Sequence, residues 1–346
     1  MGKTAVVTGG SGQAAYWLIQ LLHDKGYEIH TLVRRNSQNS LGNIKLLPQK
    51  VRDNLTVHKV DILDDQGVRE VVKMAKPDEL YHLAAMSFVG ASWANSKVTF
   101  ETNTIGTLNV LSAVRDQYPA CKIFHASSSE MFGKVVETPQ SESTPFHPRS
   151  PYGVSKVAAH WMVKNYRESY GLFAANGIMF NYSSITRGEE FVSMKIAKAV
   201  AAISCGKQEC LYLGNLSARR DFSFAGDTMN GAYLIMQQNE PDDFVLSSGE
   251  THSIREFCEL AFGATGATIK WRGTGLDEVG FNSDMGKVLV KVDPQFFRPA
   301  EVDLLIGNSA KARSILGWKP VKSYPDLVRG MVENEIRKLK ATKTDN

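Results

Sequence analysis

The chain opens with KTAVVTGGSGQAAYWLIQLLHDKGYEIHTLVRR, and this run constrains the fold more than any other stretch. A short β-branched strand leads into a glycine turn. An amphipathic helix follows, ending near Gly26, and a second strand begins. That is a βαβ unit, in which two parallel strands are joined by a crossover helix. The alternation continues. LTVHKVDI reads as a strand, DDQGVREVVKMAK as a helix, and PDELYHLAA contains a strand. VTFETNTIGTLNVLSAVRDQ reads as a long helix, CKIFHASSS as a strand, SPYGVSKVAAHWMVKNYRESYG as a helix and LFAANGIMFN as a strand. Strands alternating with helices predict an α/β fold of Rossmann type, a doubly wound parallel sheet covered on both faces.

After about residue 181 the pattern loosens. Short strands, loops and helices mix, with Gly- and Asp-rich connections at 273–286. This predicts a smaller mixed α/β region closing over the sheet. The expected division is residues 1–180 for the first domain, with 217–247 returning to it, and 181–216 with 248–330 for the second region. Residues 331–346 form the end of a C-terminal helix and its tail, and RKLKATKTDN is expected to fray.

Composition excludes several classes. With 346 residues the chain can bury a large core. It is 43% hydrophobic and 22% charged, and its net charge of +4 comes without a long basic block, so neither nucleic acid nor an anionic membrane surface is an expected partner. No apolar run approaches the roughly 18 residues a membrane span needs. A strand-like run from residue 4 leaves no room for a signal peptide, and Val6 stands where a myristoylation signal wants Ser or Thr. Cys121, Cys205, Cys210 and Cys258 lack metal or redox spacing, so no metal site is expected and the thiols read as reduced, as in a cytoplasmic protein.

In TGGSGQAA, Gly9 and Gly12 let backbone N–H groups approach a pyrophosphate at a helix N-terminus, with Gln13 beside them. Ala15 stands where the dinucleotide fingerprint has Gly or Ala. The end of the second strand reads VRRNS. It offers Arg34 and Arg35 to a 2′-phosphate and no acid to a ribose 2′-hydroxyl, so NADP is expected over NAD. A solvated basic loop is the plain alternative. Asp61 and Ile62 are placed to hold the adenine edge, although an Asp there can simply cap a turn.

SPYGVSK places Tyr152 and Lys156 on one helix face, with Ser150 and Pro151 marking the helix start. A tyrosine is a poor base at neutral pH unless a nearby cation favours the phenolate. Lys156, joined by a nicotinamide cation, is expected to do this, so that Tyr152 takes a proton from a sugar hydroxyl as hydride leaves the same carbon. In HASSSEMFG, Ser128 closes a strand and Glu130 follows two residues later, expected on the same face of an extended segment.

The glycine turn, Ser128 and Tyr152-x-x-x-Lys156 together resemble an extended short-chain dehydrogenase/reductase. ASSSEMFGKV, TPFHPRSPYGVSK, NYRESYGL, RGEEFV, GNLSARRDF, EPDDFVLSSGETHSIREF, GLDEVG and VDPQFFRPAEVDLLIG further resemble the GDP-mannose 4,6-dehydratase family, over residues 4 to about 320. The resemblance implies a lyase acting on a GDP-sugar with bound NADP. It assigns Ser128, Tyr152 and Lys156 to oxidation at C4, and Glu130 to removal of the C5 proton as water leaves C6. It also implies contacts to substrate from Ser87, Asn181, Arg187, Lys195, Arg220, Arg298 and Glu301, a nucleotide-sugar role for the second region, and a homodimer or homotetramer.

The chain departs from the family pattern at Ala14, Met86, Thr186 and Met194, losing an acid at the first and cations at the last two. Sugar choice is therefore less fixed than chemistry. A dehydratase of a related GDP-sugar such as a GDP-manno-heptose, a C4 reductase or dehydrogenase, and a non-catalytic NADP-binding scaffold are the competing readings.

Overall fold

The computed structural model describes residues 2–35, 40–297, 300, 302 and 304–341. Its centre is a sheet of seven parallel strands. These are β1 (Thr4–Thr8), β2 (Glu28–Leu32), β3 (Leu55–His58), β4 (Glu79–His82), β5 (Lys122–Ser128), β6 (Ala174–Met179) and a seventh strand, Asp243–Leu246. Across the sheet the order is seventh strand, β6, β5, β4, β1, β2, β3. Strand order therefore reverses between β1 and β4, and a crevice opens beyond their carboxyl ends.

Covering both faces explains the apolar runs. β4 and β6 are buried at every position. Successive residues point to opposite faces, so Ala5 and Val7 join one core while Val6 joins another. The first core packs helix α1 (Gln13–Asp24), Ala225–Met236 and Ala310–Leu316 around Phe124, Tyr81 and Trp318. The second packs Asp65–Ala75, Gly106–Gln117 and Pro151–Tyr170 through Val71, Val110 and Val163. Each fully buried side chain of this size contributes about 1.5–3 kcal/mol.

The long helix expected before β5 is present at 96–117, with a wide π turn, Glu101–Ile105, between Ser96–Phe100 and Gly106–Gln117. The extra residue turns Asn103 and Thr104 inward, where both are buried.

The remaining residues build a four-stranded sheet from Ile269–Arg272, Val279–Asn282, Val288–Val292 and Leu211–Leu213. Helices Val192–Ser204, Ile254–Gly263 and Tyr324–Ala341 pack with it around Phe257, Phe262 and Met331. Two expectations are corrected here. Residues 273–286 are not only a connection, because Val279–Asn282 pairs with a strand on each side. Its Gly280 lies against Trp271, whose ring leaves no room for a side chain. The tail does not fray from residue 337, because the last helix runs to Ala341 and Lys338 pairs with Glu335 at 2.7 Å. Residues 342–346 lie outside the described residues.

Phe124 is fully buried on β5, and its ring sits where any side chain at Gly177 would fall. Phe124→Ala should lower stability by about 3–5 kcal/mol in urea denaturation. A loss under about 1 kcal/mol would show that the site collapses around the missing ring.

Candidate active site

A cavity of about 1350 Å³ opens at the carboxyl ends of the strands where their order reverses. Gly9, Gly12, Gln13, Arg34, Asp61 and Ile62 line one end. Gly9 has φ +71°, and a Cβ there would lie 2.9 Å from the Ala84 backbone. Only glycine fits that turn. Helix α1 starts after Gly12 with no side-chain cap and no acid in its first turn. Its first N–H groups are left to face an anion. The Gln13 amide donates to the Tyr182 carbonyl (3.3 Å) and accepts from the Ser184 hydroxyl (2.9 Å), tying the glycine turn to the segment after β6.

Arg34 is exposed at the cavity edge, whereas Arg35 is exposed and does not line the cavity. Asp61 lines the cavity and also caps a turn, accepting from the Leu63 N–H at 3.0 Å.

Ser128, Glu130, Tyr152 and Lys156 meet in the middle of the cavity wall. Strand β5 ends because the Ser128 hydroxyl accepts the Glu130 N–H (3.2 Å) and opens a 3₁₀ turn, Ser129–Met131. The expected extended placement of Glu130 is thus corrected: it reaches the cavity from a turn. The neighbouring Met131 and Phe132 are fully buried in an apolar cluster and anchor that turn.

The helix Pro151–Tyr170 begins as its sequence signals, with the Ser150 hydroxyl accepting the Gly153 N–H at 3.0 Å. From it Lys156 Nζ donates to the Ala126 carbonyl on β5 at 2.9 Å. Burial lowers Lys156 to about 8. Burial also pushes the Tyr152 phenol above its ordinary value. The Ser128 hydroxyl and the Arg187 guanidinium oppose this, and Tyr182 and Glu130 reinforce it. In the protein without ligand charge, desolvation outweighs the groups that favour the phenolate.

Ser87, Asn181, Arg187, Lys195 and Arg220 line the rest of the cavity, while Arg298 and Glu301 lie outside the described residues. The Arg187 guanidinium stacks 3.5 Å from the Phe191 centroid, and its Nε is buried without a partner. Asn181 Oδ1 is likewise buried and unpartnered. Such orphaned atoms in a cavity wall await groups from a ligand. Lys195 Nζ lies 3.1 Å from the Phe296 centroid, and burial lowers its pKa. Arg220 Nη1 donates to the Arg219 carbonyl at 2.9 Å.

The departures are structurally accommodated. Ala14 lines the cavity, Met194 is buried in the apolar core of the second region, and the Thr186 hydroxyl lies 3.0 Å from that of Ser184. Met86 is held through its backbone, with the Asn103 side chain accepting its N–H (2.8 Å) and donating to its carbonyl (3.2 Å).

Sequence reasoning missed Asn103 and Tyr182. Asn103 carries no motif, and its inward direction comes from the π turn. Tyr182 lines the cavity and acts electrostatically on Tyr152 and Arg187, yet it is one tyrosine in a short strand, Asn181–Ser183. Among the described residues no group of His, Cys, Asp and Glu could hold a metal ion.

In fold this is a Rossmann-type α/β protein, a doubly wound parallel sheet with a smaller mixed region. It superposes with a TM-score of 0.82 on UDP-glucose 4-epimerase from Bifidobacterium longum, solved with NAD+ and UDP, at 19% identity over 98% of this chain and 99% of that one. Sequence narrows the assignment. The pattern of the family described as GDP-mannose 4,6 dehydratase matches residues 6–331. The GDP-mannose 4,6-dehydratase of Sinorhizobium fredii is 44% identical over 99% of each chain. The GDP-mannose 4,6 dehydratase of Homo sapiens is 44% identical over 97% of this chain and 93% of its own length. The chain belongs to the GDP-mannose 4,6-dehydratase family.

Lys156 carries a pH signature. Its folded pKa of about 8 lies below the ordinary 10.5, so between those values the unfolded chain binds more protons and stability rises with pH. Below about 8 the full cost of the buried charge is present. In cofactor-free protein, the stability of wild type relative to Lys156→Met should therefore rise by roughly 2–3 kcal/mol from pH 7.5 to 10. Paired urea titrations check this, and a flat difference would refute it.

Proposed function

We propose that the chain converts GDP-mannose to GDP-4-keto-6-deoxymannose. The carrying observation is a buried carboxylate, Glu130, on the same cavity wall as Ser128, Tyr152 and Lys156. A plain sugar dehydrogenase needs only the last three. Glu130 supplies the proton transfers of an elimination.

The residues present suit a bound nicotinamide dinucleotide: a glycine cradle that a Cβ would fill and an uncapped helix start. When bound, the nicotinamide ring supplies a hydride acceptor for C4 and a hydride donor for C6. Arg34 at the cavity edge supports NADP, its guanidinium matching a 2′-phosphate.

Tyr152 takes the O4 proton as C4 is oxidised, and Ser128 orients that oxygen. Lys156 holds positive charge beside the phenol. The C4 ketone acidifies the C5 proton, which Glu130 removes. Glu130 then protonates the departing C6 hydroxyl, which leaves as water. As C6 is reduced, C5 takes a proton from water, and Tyr152 returns to water the proton it took from O4. Asn181, Arg187, Lys195, Arg220, Ser87 and, outside the described residues, Arg298 and Glu301 hold the GDP-sugar. Residues 1–180 with 217–247 carry the cofactor, and 181–216 with 248–330 carry the nucleotide-sugar.

The active unit is a homodimer at least. Phe100 and Ile105 on one helix and Val154 and Trp161 on another are exposed apolar side chains outside the cavity lining, which supports a covered face. No helix among the described residues is long and apolar enough to cross a membrane, and all four cysteines are free, which supports a cytoplasmic setting.

Glu130→Gln should cut keto-sugar formation by about 100-fold or more. Turnover in deuterated water checks this: keto-sugar formed at the unmutated rate with solvent deuterium at C5 would sink the assignment. Arg34→Ala should weaken NADP binding about 10- to 100-fold and leave NAD binding nearly unchanged. Titrations of both cofactors test this, and equal losses would favour NAD.

A further inference from the structure

A buried hydrogen-bond chain runs from the glycine turn to Tyr152. Thr8 closes β1 immediately before Gly9. Its hydroxyl oxygen accepts from the Leu83 and Ala84 N–H groups, both at 3.1 Å. Its single proton is left for His82 Nδ1, at 2.8 Å. His82 therefore carries its own proton on Nε2 and donates it to the Thr107 hydroxyl oxygen at 3.0 Å. The Thr107 proton goes to the Asn103 carbonyl at 2.7 Å.

From there the chain branches into the site. The Asn103 amide, besides gripping Met86, donates to the Ser155 hydroxyl at 2.9 Å. That hydroxyl donates to the Tyr152 carbonyl at 2.7 Å, and the Thr104 hydroxyl donates to the Ser155 carbonyl at 3.1 Å. Thr8, His82, Thr107, Asn103 and Ser155 are each at most 2% exposed. In so dry a place every polar atom must stay partnered, so moving one link obliges the others to follow. The direction of each bond is fixed by proton count, and a charged His82 would break it. Burial, helped by the Lys156 cation, lowers His82 to about 3 and keeps it neutral.

We infer that Thr107, backed by His82, is a positioning residue that holds the Tyr152 helix in register with the glycine turn. Thr107 touches none of the cavity itself. It fixes the Asn103 carbonyl in the π turn, and Asn103 fixes both the loop carrying Ser87 and the first turn of the Tyr152 helix. The consequence for turnover rests on the dehydratase reading. The consequence for helix order does not.

The test compares Thr107→Val, which keeps the shape and removes the proton, with Thr107→Ser, which keeps the proton. Thr107→Val should lower kcat roughly tenfold with KM for GDP-mannose within about twofold, since loss of one buried bond of about 1.4 kcal/mol falls on geometry and not on binding. Amide exchange in 151–157 should rise roughly tenfold in the same variant. Exchange in 254–263 should not change, and Thr107→Ser should restore both readouts. Wild-type exchange in Thr107→Val, an equal rise in 254–263, an unchanged kcat, or failure of Thr107→Ser to restore would each overturn the inference. Absence of keto-sugar from the wild type would count against the dehydratase reading instead, and the exchange comparison would still decide the register role.

Discussion

The hydrogen bond from Lys156 to the Ala126 carbonyl joins the two elements on which the site depends. It draws the start of the helix Pro151–Tyr170 against the end of β5, so that Tyr152 and Ser128 share one cavity wall. The contact sets a cation at a buried position, and desolvation moves both titrating groups toward neutrality: Lys156 down, Tyr152 up. In the proposed reaction the charge that favours the phenolate then comes from bound ligand as well as from protein. A buried, preorganised wall makes each such charge count for more than it would in water.

Buried polar groups serve two ends in this fold. Asp243, on the seventh strand, accepts from Arg167 at 2.7 Å and Asn176 at 3.0 Å, and those partners hold it below its ordinary value despite burial. Glu79 accepts from Tyr27, Tyr81 and Lys3 at the opposite end of β4 from the cavity. These acids lock elements together. Arg187 Nε and Asn181 Oδ1 are buried with nothing to bond, on the cavity wall. Of the buried atoms without a partner among the described residues, these two lie on the cavity wall, where a ligand can reach them.

Much of the architecture was legible because its signals are local. The glycine turn, the Ser150–Pro151 start and the alternation up to β6 each lie within a few residues of the structure they encode. The strand Val279–Asn282 was not legible, because Gly280 and Asn282 belong to a strand only through pairing on both sides and the Trp271 ring beneath. The turn that carries Glu130 was hidden for a similar reason. Ser-Ser-Ser-Glu fits a strand or a turn, and the burial of Met131 and Phe132 selects the turn. Tyr182 lines the cavity and Asn103 braces the first turn of the Tyr152 helix, each through neighbours far away in the chain, so no spacing announces them.

By itself the sequence determined the parallel α/β class, the glycine turn, the limits of the Tyr152 helix and the residue types of the proposed chemistry. Periodicity, capping and glycine conformation act over one or two turns of chain and need no distant partner. Tertiary structure alone decided how Glu130 reaches the cavity, which arginine at the end of β2 lines it, and the direction in which Tyr152 and Lys156 shift. Those outcomes depend on exclusion of water and on contacts between segments such as 126 and 156. Desolvation is a property of the assembled interior, and no local run of residues carries it.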